Sequence, residues 1–182
     1  LTAPGKITGL VNGETVTFTV TGTRTEVGES DNTYSLVWDG TALESNYTIG
    51  SESIGTLTVT AKSIIPDPED EKALVYTGPE DTAYNGTSQM QPVTVKDPET
   101  GKTLVEGSDY TISYSGDTTN VGKVTVTITG IGDYSGTYEP AYQITPASLS
   151  VVTDSANKVY DGSALTAPGK ITGLVNGETV TF

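Results

Sequence analysis

The side chains in this sequence that could do chemistry carry oxygen rather than imidazole nitrogen or sulfur. Asp67, Glu69, Asp70 and Glu71 form an acidic run, and such carboxylates bind Ca²⁺, which takes about six to eight oxygen ligands in proteins. The run lacks the Asp-x-Asp-x-Asp-Gly spacing of a dedicated calcium loop. The prolines in and beside it favour an extended, solvated linker as the alternative. These four residues are the candidate metal ligands that the sequence offers.

The 182-residue chain contains no histidine and no cysteine. This composition excludes Ser-His-Asp and Cys-His nucleophiles, the usual zinc sites and disulfide frameworks. Two carboxylates about 5 to 9 Å apart could hydrolyse a glycoside, but a chain with 23 acidic residues brings some such pair together by accident. We therefore predict no enzyme activity, no catalytic residue and no cofactor.

The net charge limits the classes of molecule that the protein could bind. Asp and Glu number 23 against 9 Lys and Arg, which gives a net charge of -14. An acidic surface repels nucleic-acid phosphates and anionic lipid headgroups. The chain also contains no run of about 18 apolar residues, which is the length needed to cross a membrane. We expect neither nucleic-acid binding nor membrane insertion, which leaves proteins, glycans and cations.

The aromatic residues could form a glycan-binding platform if two or three rings were exposed on one face. Tyr110 and Tyr114 share a strand face with Ile112, however, which favours core packing. Trp38 alternates with Leu36, so the two side chains project to the same side, and we expect that side to face inward.

The elements that must position these side chains are short strands. The apolar residues are rich in Val, Ile and Tyr, threonine is the commonest residue, and 21 Gly and 9 Pro supply turns. β-Branched and aromatic side chains suit a pleated surface, while Gly and Pro supply turn dihedrals. No segment shows sustained 3.6-residue periodicity with helix caps. The sequence therefore predicts an all-β protein in which any helix is one short turn.

An exact duplication organises the chain. Residues 1–18, LTAPGKITGLVNGETVTF, recur unchanged at residues 165–182. Chance cannot produce an identity of this length, so we expect a parent protein with tandem, nearly identical units of 164 residues. The chain then reads as one unit plus the opening strands of the next.

A fainter repeat divides the unit. Gly13–Gly28 aligns without gaps to Gly107–Gly122, with the same alternation of apolar and small polar residues. The repeat predicts three segments: residues 1–60, a β domain without its first strand; residues 61–146, a complete β domain; and residues 147–182, the start of the next repeat. Within the complete domain, Lys96–Lys102 (KDPETGK) predicts a hairpin.

Several short motifs of the first module resemble those of a known class of repeats. In domain order they are Tyr160-Asp161-Gly162, Thr8 to Val16 (TGLVNGETV), Val27-Gly28, Tyr34, Asn46 to Ile49 (NYTI) and Gly55 to Val59 (GTLTV). This order resembles the YDG/MBG-type repeats of large bacterial surface proteins and adhesins.

The motifs of the second module resemble those of a different class of repeats. Its motifs are Tyr84-Asn85-Gly86, Leu104 to Tyr110 (LVEGSDY), Asn120-Val121-Gly122 and Gly130 to Thr137 (GIGDYSGT). They are similar to Ig-like repeats of cell-wall proteins from Gram-positive gut bacteria. Together the two resemblances imply tandem, extracellular, all-β modules that build stalks or adhesive arms, and they identify no catalytic residue and no ligand.

Cysteine-free surface modules of this kind often carry a Lys to Asn or Asp isopeptide bond. Lys6, Lys123 and Lys158 lie in or beside predicted strands and are conceivable donors. The alternative is a lysine whose stem lies along the sheet with its ammonium group in water. The shared Tyr-Asx-Gly pattern at Tyr84 and Tyr160 is interpreted structurally, as a ring that anchors a strand start while glycine takes a positive φ.

These observations give one main expectation and one alternative for both fold and function. The fold is two small Ig-like β-sandwich modules in tandem, with a β-grasp-like first module as the alternative. The function is a structural stalk or spacer of a bacterial surface adhesin that projects a distal binding domain from the cell wall, and the alternative is a module that binds host protein or glycan. Sandwiches of this size are about 25 to 35 Å long, so a unit would extend a stalk by about 60 to 80 Å.

The division of the first module between the two ends of the chain also suggests self-association. Residues 1–60 lack a leading strand, and an open sheet edge invites an added strand. That strand, within residues 148–164, lies at the other end of the chain, so a neighbouring molecule could donate it head to tail. The duplicated 18 residues would then compete for the same strand.

Overall fold

The computed structural model describes residues 1–181 and places 34% of the chain in β-strands. Among those residues the only helical element is a 3-10 turn at Glu44–Asn46, so the predicted all-β class is confirmed. The strands are β1 (Thr17–Val20), β2 (Gly28–Asn32), β3 (Tyr34–Val37), β4 (Gly55–Val59), β5 (Lys62–Ser63), β6 (Val75–Thr77), β7 (Thr82–Ala83), β8 (Thr94–Lys96), β9 (Tyr110–Ser115), β10 (Gly122–Gly130), β11 (Tyr134–Ser135), β12 (Thr137–Tyr138), β13 (Ala141–Thr145), β14 (Ser150–Thr153) and β15 (Gly169–Thr172).

The chain folds as two compact units. The first unit comprises residues 1–62 with 131–135, and the second comprises residues 63–130 with those from 136 onward. The predicted boundaries at 60/61 and 146/147 remain predictions.

The first unit contains two antiparallel pairs, β1 with β3 and β2 with β4. Phe18 lies opposite Leu36 and Val20 lies opposite Tyr34, so the alternation of both strands gathers apolar side chains on one face. This face stays only half-buried. Within residues 1–62 the buried apolar side chains are Ala42 and Leu57.

The second unit is built around β10, the longest strand. It pairs with β9 along one edge and with β12 and β13 along the other, and β7 adds to β13 in parallel. Val124, Val126 and Ile128 on β10 have no exposed surface, and Tyr142 and Ile144 on β13 are equally enclosed. The period-2 alternation of these strands therefore points into one apolar core.

Proline separates two neighbouring strands. Glu139-Pro140 lies between β12 and β13. Proline has no N–H to donate to a ladder. The Val126 N–H donates to the Pro140 carbonyl oxygen at 2.8 Å, so both strands stay on one edge of β10.

A second, smaller sheet in the same unit consists of β6 and β8. The Tyr142 hydroxyl donates to the Gln89 carbonyl oxygen at 2.5 Å, and the Tyr114 hydroxyl donates to the Gln91 carbonyl oxygen at 2.8 Å. These bonds join the larger sheet to the segment that leads into β8. Tyr110 is 5% exposed, which confirms its predicted core role, whereas Tyr114 is half-buried.

The predicted hairpin at Lys96–Lys102 is also confirmed. The Asp97 N–H donates to the Lys102 carbonyl oxygen and the Gly101 N–H donates to the Asp97 carbonyl oxygen, both at 2.8 Å. Lys96 and Thr103 form a bridge at its base. Asp-Pro and Thr-Gly therefore supply the turn, as their dihedral preferences predict.

The C-terminal segment of the second unit forms the antiparallel pair β14 and β15. Every residue of β14 is exposed, including Val151 at 65% and Val152 at 58%. This pair is therefore a ladder with little core beneath its first strand.

Candidate functional site

The acidic run does not gather into a metal centre. Asp67, Glu69, Asp70 and Glu71 are all exposed. The Asp67 carboxylate accepts the Glu69 N–H at 3.0 Å, and the Asp70 carboxylate accepts the Lys72 N–H at 2.9 Å. Within residues 1–181 no three acidic side chains are placed to hold a metal ion. The run thus forms local turns that use its carboxylates as hydrogen-bond acceptors.

The three candidate isopeptide lysines are all exposed residues. Lys6 and Lys123 are exposed. The Lys158 ammonium lies 2.8 Å from an Asp161 carboxylate oxygen and 2.6 Å from the Ser163 hydroxyl oxygen. This ion pair, together with the Ser163 N–H, lowers the pKa of Asp161 to about 2. The geometry is that of a charged surface pair rather than a shielded cross-link.

The Tyr-Asx-Gly pattern forms the predicted turn in both places. Gly86 and Gly162 have φ values of 75° and 76°, which L side chains rarely adopt. The two tyrosine rings differ in their exposure. Tyr160 is 93% exposed, so its ring does not have the anchoring role predicted for it. Tyr84 is half-buried and makes a specific contact.

That contact joins the turn at Tyr84 to the second copy of the duplicated sequence. The Tyr84 hydroxyl donates to a Glu178 carboxylate oxygen at 2.5 Å, and the Asn176 side-chain amide donates to the Gly86 carbonyl oxygen at 2.9 Å. A Cβ on Gly86 would collide with the Asn176 side chain, so only glycine permits this approach. Because Glu178 accepts a hydrogen bond from the Tyr84 hydroxyl, the pKa of Tyr84 is raised and the hydroxyl stays a donor. We call this contact the joint.

The first copy of the same sequence makes a related contact in the first unit. The Tyr47 hydroxyl donates to the Glu14 carboxylate and accepts the Val11 N–H at 3.2 Å. Glu14 and Glu178 are equivalent residues of the two copies, and each follows an Asn-Gly turn in which Asn has a φ of 49°. The Val-Asn-Gly-Glu turn therefore presents its glutamate to a tyrosine in both settings.

A cleft of about 560 Å³ lies within the first unit. One wall is the half-buried face of β1 and β3 with Trp38, and the others are residues 4–10 and 47–55. The ring centroids of Trp38 and Tyr47 lie 5.6 Å apart in a stacked arrangement. Trp38 and Leu36 both line the cleft, so the prediction that they share a side is confirmed, but that side is half-buried beside an open cleft and does not face a core.

A carboxylate also borders the cleft. The Tyr34 hydroxyl donates to a Glu52 carboxylate oxygen at 2.5 Å, and this bond raises the pKa of Tyr34. The arrangement offers stacked rings, a carboxylate acceptor and an exposed backbone segment. Such a surface can bind a ligand or a strand without chemical conversion.

Sequence reasoning missed Asn176, Glu178 and Glu52 as contact residues. The Asn-Gly pair before Glu178 marks a turn, but nothing local indicates which distant tyrosine the turn meets. It also missed Asp109, whose carboxylate accepts the Lys102 ammonium and the Val105 N–H, each at 2.8 Å. The Lys102 bond is the main reason that the pKa of Asp109 is lowered.

The described part of the chain contains no helix with the length and apolar character needed to cross a bilayer. Comparison of the chain with protein-family models, curated proteins and solved structures found no match.

Proposed function

We propose that the chain is a repeat of a stalk or spacer from a bacterial cell-surface adhesin. In this proposal its modules are Ig-like β-sandwiches in tandem, outside the cell, that carry a distal binding domain away from the cell wall and catalyse nothing. The joint is the observation that carries the proposal. It fixes the opening turn of the next repeat to the preceding domain by two side-chain hydrogen bonds.

Because the two copies of the duplicated sequence are identical, the same contact would recur between consecutive repeats of a tandem array. The glutamate of the Val-Asn-Gly-Glu turn accepts Tyr47 at one carboxylate oxygen in the first copy and Tyr84 at an oxygen in the second. In consecutive repeats a single glutamate would receive both hydroxyls, one from its own domain and one from the preceding domain. A carboxylate has acceptor sites for both. Such a bridge would restrict bending between domains, which a stalk requires.

The second unit supports the sandwich assignment. Its larger sheet buries Val124, Val126 and Ile128, and Tyr142 and Tyr114 bind the segment before β8. Two sheets joined through one apolar core are the arrangement of a sandwich. The acidic surface, with a net charge of -14, suits a stalk because like charge keeps neighbouring stalks apart.

Proteins that contain one, two or three consecutive 164-residue units test the proposal by small-angle X-ray scattering. We expect the maximum dimension to grow by a constant increment of about 60 to 80 Å for each unit. Replacing Tyr84→Phe and Asn176→Ala at every joint should reduce the increment and broaden the distance distribution. The matched control is Tyr34→Phe, which removes an equally short tyrosine–glutamate bond inside a domain. Units that add no length would refute the stalk.

A second candidate function is glycan binding in the first unit. The stacked pair Trp38 and Tyr47, together with Glu52, lines the cleft, and aromatic faces with nearby carboxylates suit sugar rings. A glycan array probed with the full chain tests this candidate. Reproducible binding that Trp38→Ala abolishes and Tyr76→Phe leaves intact would favour glycan recognition over a pure spacer.

A further inference from the structure

The chain contains three Asn-Gly pairs, the sequence at which asparagine most readily loses its side-chain nitrogen. They are Asn12-Gly13, Asn85-Gly86 and Asn176-Gly177. In this reaction the glycine nitrogen attacks the asparagine Cγ, a five-membered succinimide ring forms and ammonia leaves. Glycine favours the attack because it has no side chain and tolerates unusual dihedral angles. The dipeptide is the same in all three places, so the fold must decide which pair reacts.

The conformation of Asn12 and Asn176 hinders this attack. Both have a φ of 49°, and the glycines that follow have φ values of 72° and 73°. The N–H of the residue after each glycine donates to the carbonyl oxygen of the residue before each asparagine at 2.9 Å. Each pair therefore forms a type I′ turn, which holds the glycine nitrogen on the side of the Cα–C bond opposite the asparagine Cβ. Attack would require the backbone angles of the first position of a type II′ turn, which suit glycine alone.

Asn85 does not have this restriction. Its φ is not positive, and the residue is exposed to water. Within residues 1–181, neither the Asn85 carbonyl oxygen nor the Gly86 N–H makes a hydrogen bond. The peptide unit between the two residues can therefore rotate without breaking a hydrogen bond, and this rotation brings the attacking nitrogen towards the side chain.

Thr87 supplies two donors to the atom on which charge develops. The Thr87 N–H and the Thr87 hydroxyl both donate to the Asn85 Oδ1 at 2.9 Å. When the Gly86 nitrogen attacks Cγ, negative charge accumulates on this oxygen, and donors already directed at it stabilise that charge as an oxyanion hole does. Within residues 1–181, the Oδ1 atoms of Asn12 and Asn176 accept no hydrogen bond.

The two products of the reaction differ in whether they fit the turn. Asp161 shows that aspartate fits, since its carboxylate accepts the Ser163 N–H at 3.0 Å and the Ser163 hydroxyl at 2.8 Å. Isoaspartate instead carries the backbone through Cβ and Cγ, which adds one atom before Gly86. A Cβ on Gly86 would lie 2.4 Å from the Asn176 Cβ, so a contact this close does not tolerate a displaced Gly86.

We propose that Asn85 is a site of spontaneous deamidation promoted by Thr87, and that isoaspartate formed there opens the joint. In the first step a bond forms between the Gly86 nitrogen and the Asn85 Cγ. The bond from Cγ to Nδ2 breaks, and ammonia leaves with the proton of the Gly86 nitrogen. Water then opens the ring: attack at Cγ gives aspartate, and attack at the backbone carbonyl carbon gives isoaspartate. This modification is independent of the stalk function.

Peptide mapping of the full chain after incubation in mildly alkaline buffer tests the choice of site. Trypsin places the three pairs on residues 7–24, 73–96 and 171–182, so mass spectrometry distinguishes even the duplicated copies. We expect Asn85 to convert about 5- to 150-fold faster than Asn12 and Asn176, because a sparsely populated backbone conformation slows these two by that factor. In urea the three rates should converge, since the turns are lost. Equal rates in the folded chain, or a faster rate at Asn12 or Asn176, would overturn the proposal.

Substitutions of Thr87 test its part in the reaction. Thr87→Val removes the hydroxyl and keeps the shape of the side chain, so Asn85 should convert about 2- to 10-fold more slowly. Thr87→Ser keeps the hydroxyl and is the matched control, for which we expect the wild-type rate. Far-UV circular dichroism establishes that both variants fold. A wild-type rate in folded Thr87→Val would contradict promotion by Thr87.

Hydrogen exchange tests the effect on the joint. Electron-transfer dissociation identifies isoaspartate, and chain that carries it at position 85 should exchange the amides of residues 174–181 faster than fresh chain. Asn85→Asp introduces the carboxylate without the longer backbone, so its exchange should match that of fresh chain. Unchanged exchange in the isoaspartate form excludes opening of the joint. None of these outcomes alters the length that each unit adds in scattering, so a failure here is distinguishable from a failure of the stalk.

Discussion

Two regions of the chain follow the same alternating pattern and bury it to very different degrees. In the second unit, Val124, Val126 and Ile128 of β10 have no exposed surface. In the first unit, Phe18 and Leu36 lie opposite each other on β1 and β3 and stay half-exposed beside an open cleft. A period-2 pattern therefore fixes which side chains share a face, whereas burial depends on whether another layer covers that face.

The difference in burial also indicates that the two units contribute differently to the stability of the chain and to its contacts. The second unit holds its structure through a continuous core, and its turn at Tyr84 positions the joint. The first unit has two buried apolar side chains in residues 1–62, Ala42 and Leu57, and contains an open cleft. A small core stabilises a domain less, so the first unit should gain more from added contacts.

The largest effect is expected in the core of the second unit. Ile128→Ala should lower the free energy of unfolding by about 3 to 4 kcal/mol, because it removes a fully enclosed side chain and leaves a cavity. Urea denaturation followed by far-UV circular dichroism measures the change. Lys123→Ala, on the exposed side of the same strand, is the control and should change stability by less than about 0.5 kcal/mol. Similar losses for both variants would contradict the burial of β10.

A smaller effect is expected in the first unit, where two leucines can be compared. Leu57→Ala should cost about 2 to 3 kcal/mol because Leu57 is 1% exposed. Leu36→Ala should cost about 1 kcal/mol because Leu36 is only half-buried. Trp38 fluorescence during urea denaturation follows this unit specifically. A cost at Leu36 as large as that at Leu57 would show that the cleft is closed in solution.

The pair Lys102 and Asp109 extends the comparison to polar groups of the second unit. The bond from Lys102 and the Val105 N–H hold the pKa of Asp109 below its ordinary value of 3.8. A lowered folded-state pKa contributes stability that is present above about pH 4 and is lost as the pH falls through the folded-state pKa. Asp109→Asn should cost about 1 kcal/mol at pH 7, since Lys102 is half-exposed.

Urea denaturation at pH 7 and at pH 3 checks this expectation. The stability difference between wild type and Asp109→Asn should shrink at the lower pH. Asp31→Asn, an exposed position on β2, serves as the control and should show no such change. If wild type and Asp109→Asn differ in stability by the same amount at both pH values, Asp109 does not contribute to the acid sensitivity of the fold.

The smallest effect is expected at the joint. Tyr84→Phe removes one hydrogen bond to Glu178 without changing the ring, so global stability should hardly change. Hydrogen exchange of residues 174–181 should become faster, because this turn is held to the second unit through that bond and the one from Asn176. Because the pKa of Tyr84 is raised, the bond persists below about pH 10 and is lost as the pH rises through the folded-state pKa. Unchanged exchange would show that the bond does not hold the turn.

Much of the local structure could be predicted from the sequence. The alternation around Phe18 and around Tyr110 predicts strands that the structure contains, and Asp-Pro with Thr-Gly predicts the hairpin at Lys96–Lys102. The glycine in each Tyr-Asx-Gly pattern predicts a positive φ. These signals act through neighbouring residues, and local dihedral preferences are enough to produce them.

The contacts between distant residues could not be predicted in the same way. The meeting of Tyr84 with Glu178 depends on how the chain returns after 94 residues, and no local preference encodes that path. Gly169–Thr172 is paired and the identical Gly5–Thr8 is not; this difference follows from the expected division of the first module and not from the tetrapeptide itself. Strand pairing depends on whether a partner is nearby, which is a tertiary property.

Backbone hydrogen exchange of the full chain, followed by mass spectrometry at pH 7 and low micromolar concentration, compares the two regions within one sample. Amides of Gly122–Gly130 should exchange at least about 100-fold more slowly than those of Thr17–Val20, because strands in a continuous core open only with global unfolding. Equal protection of the two segments would contradict the view that the first unit is the less completely covered region of the chain.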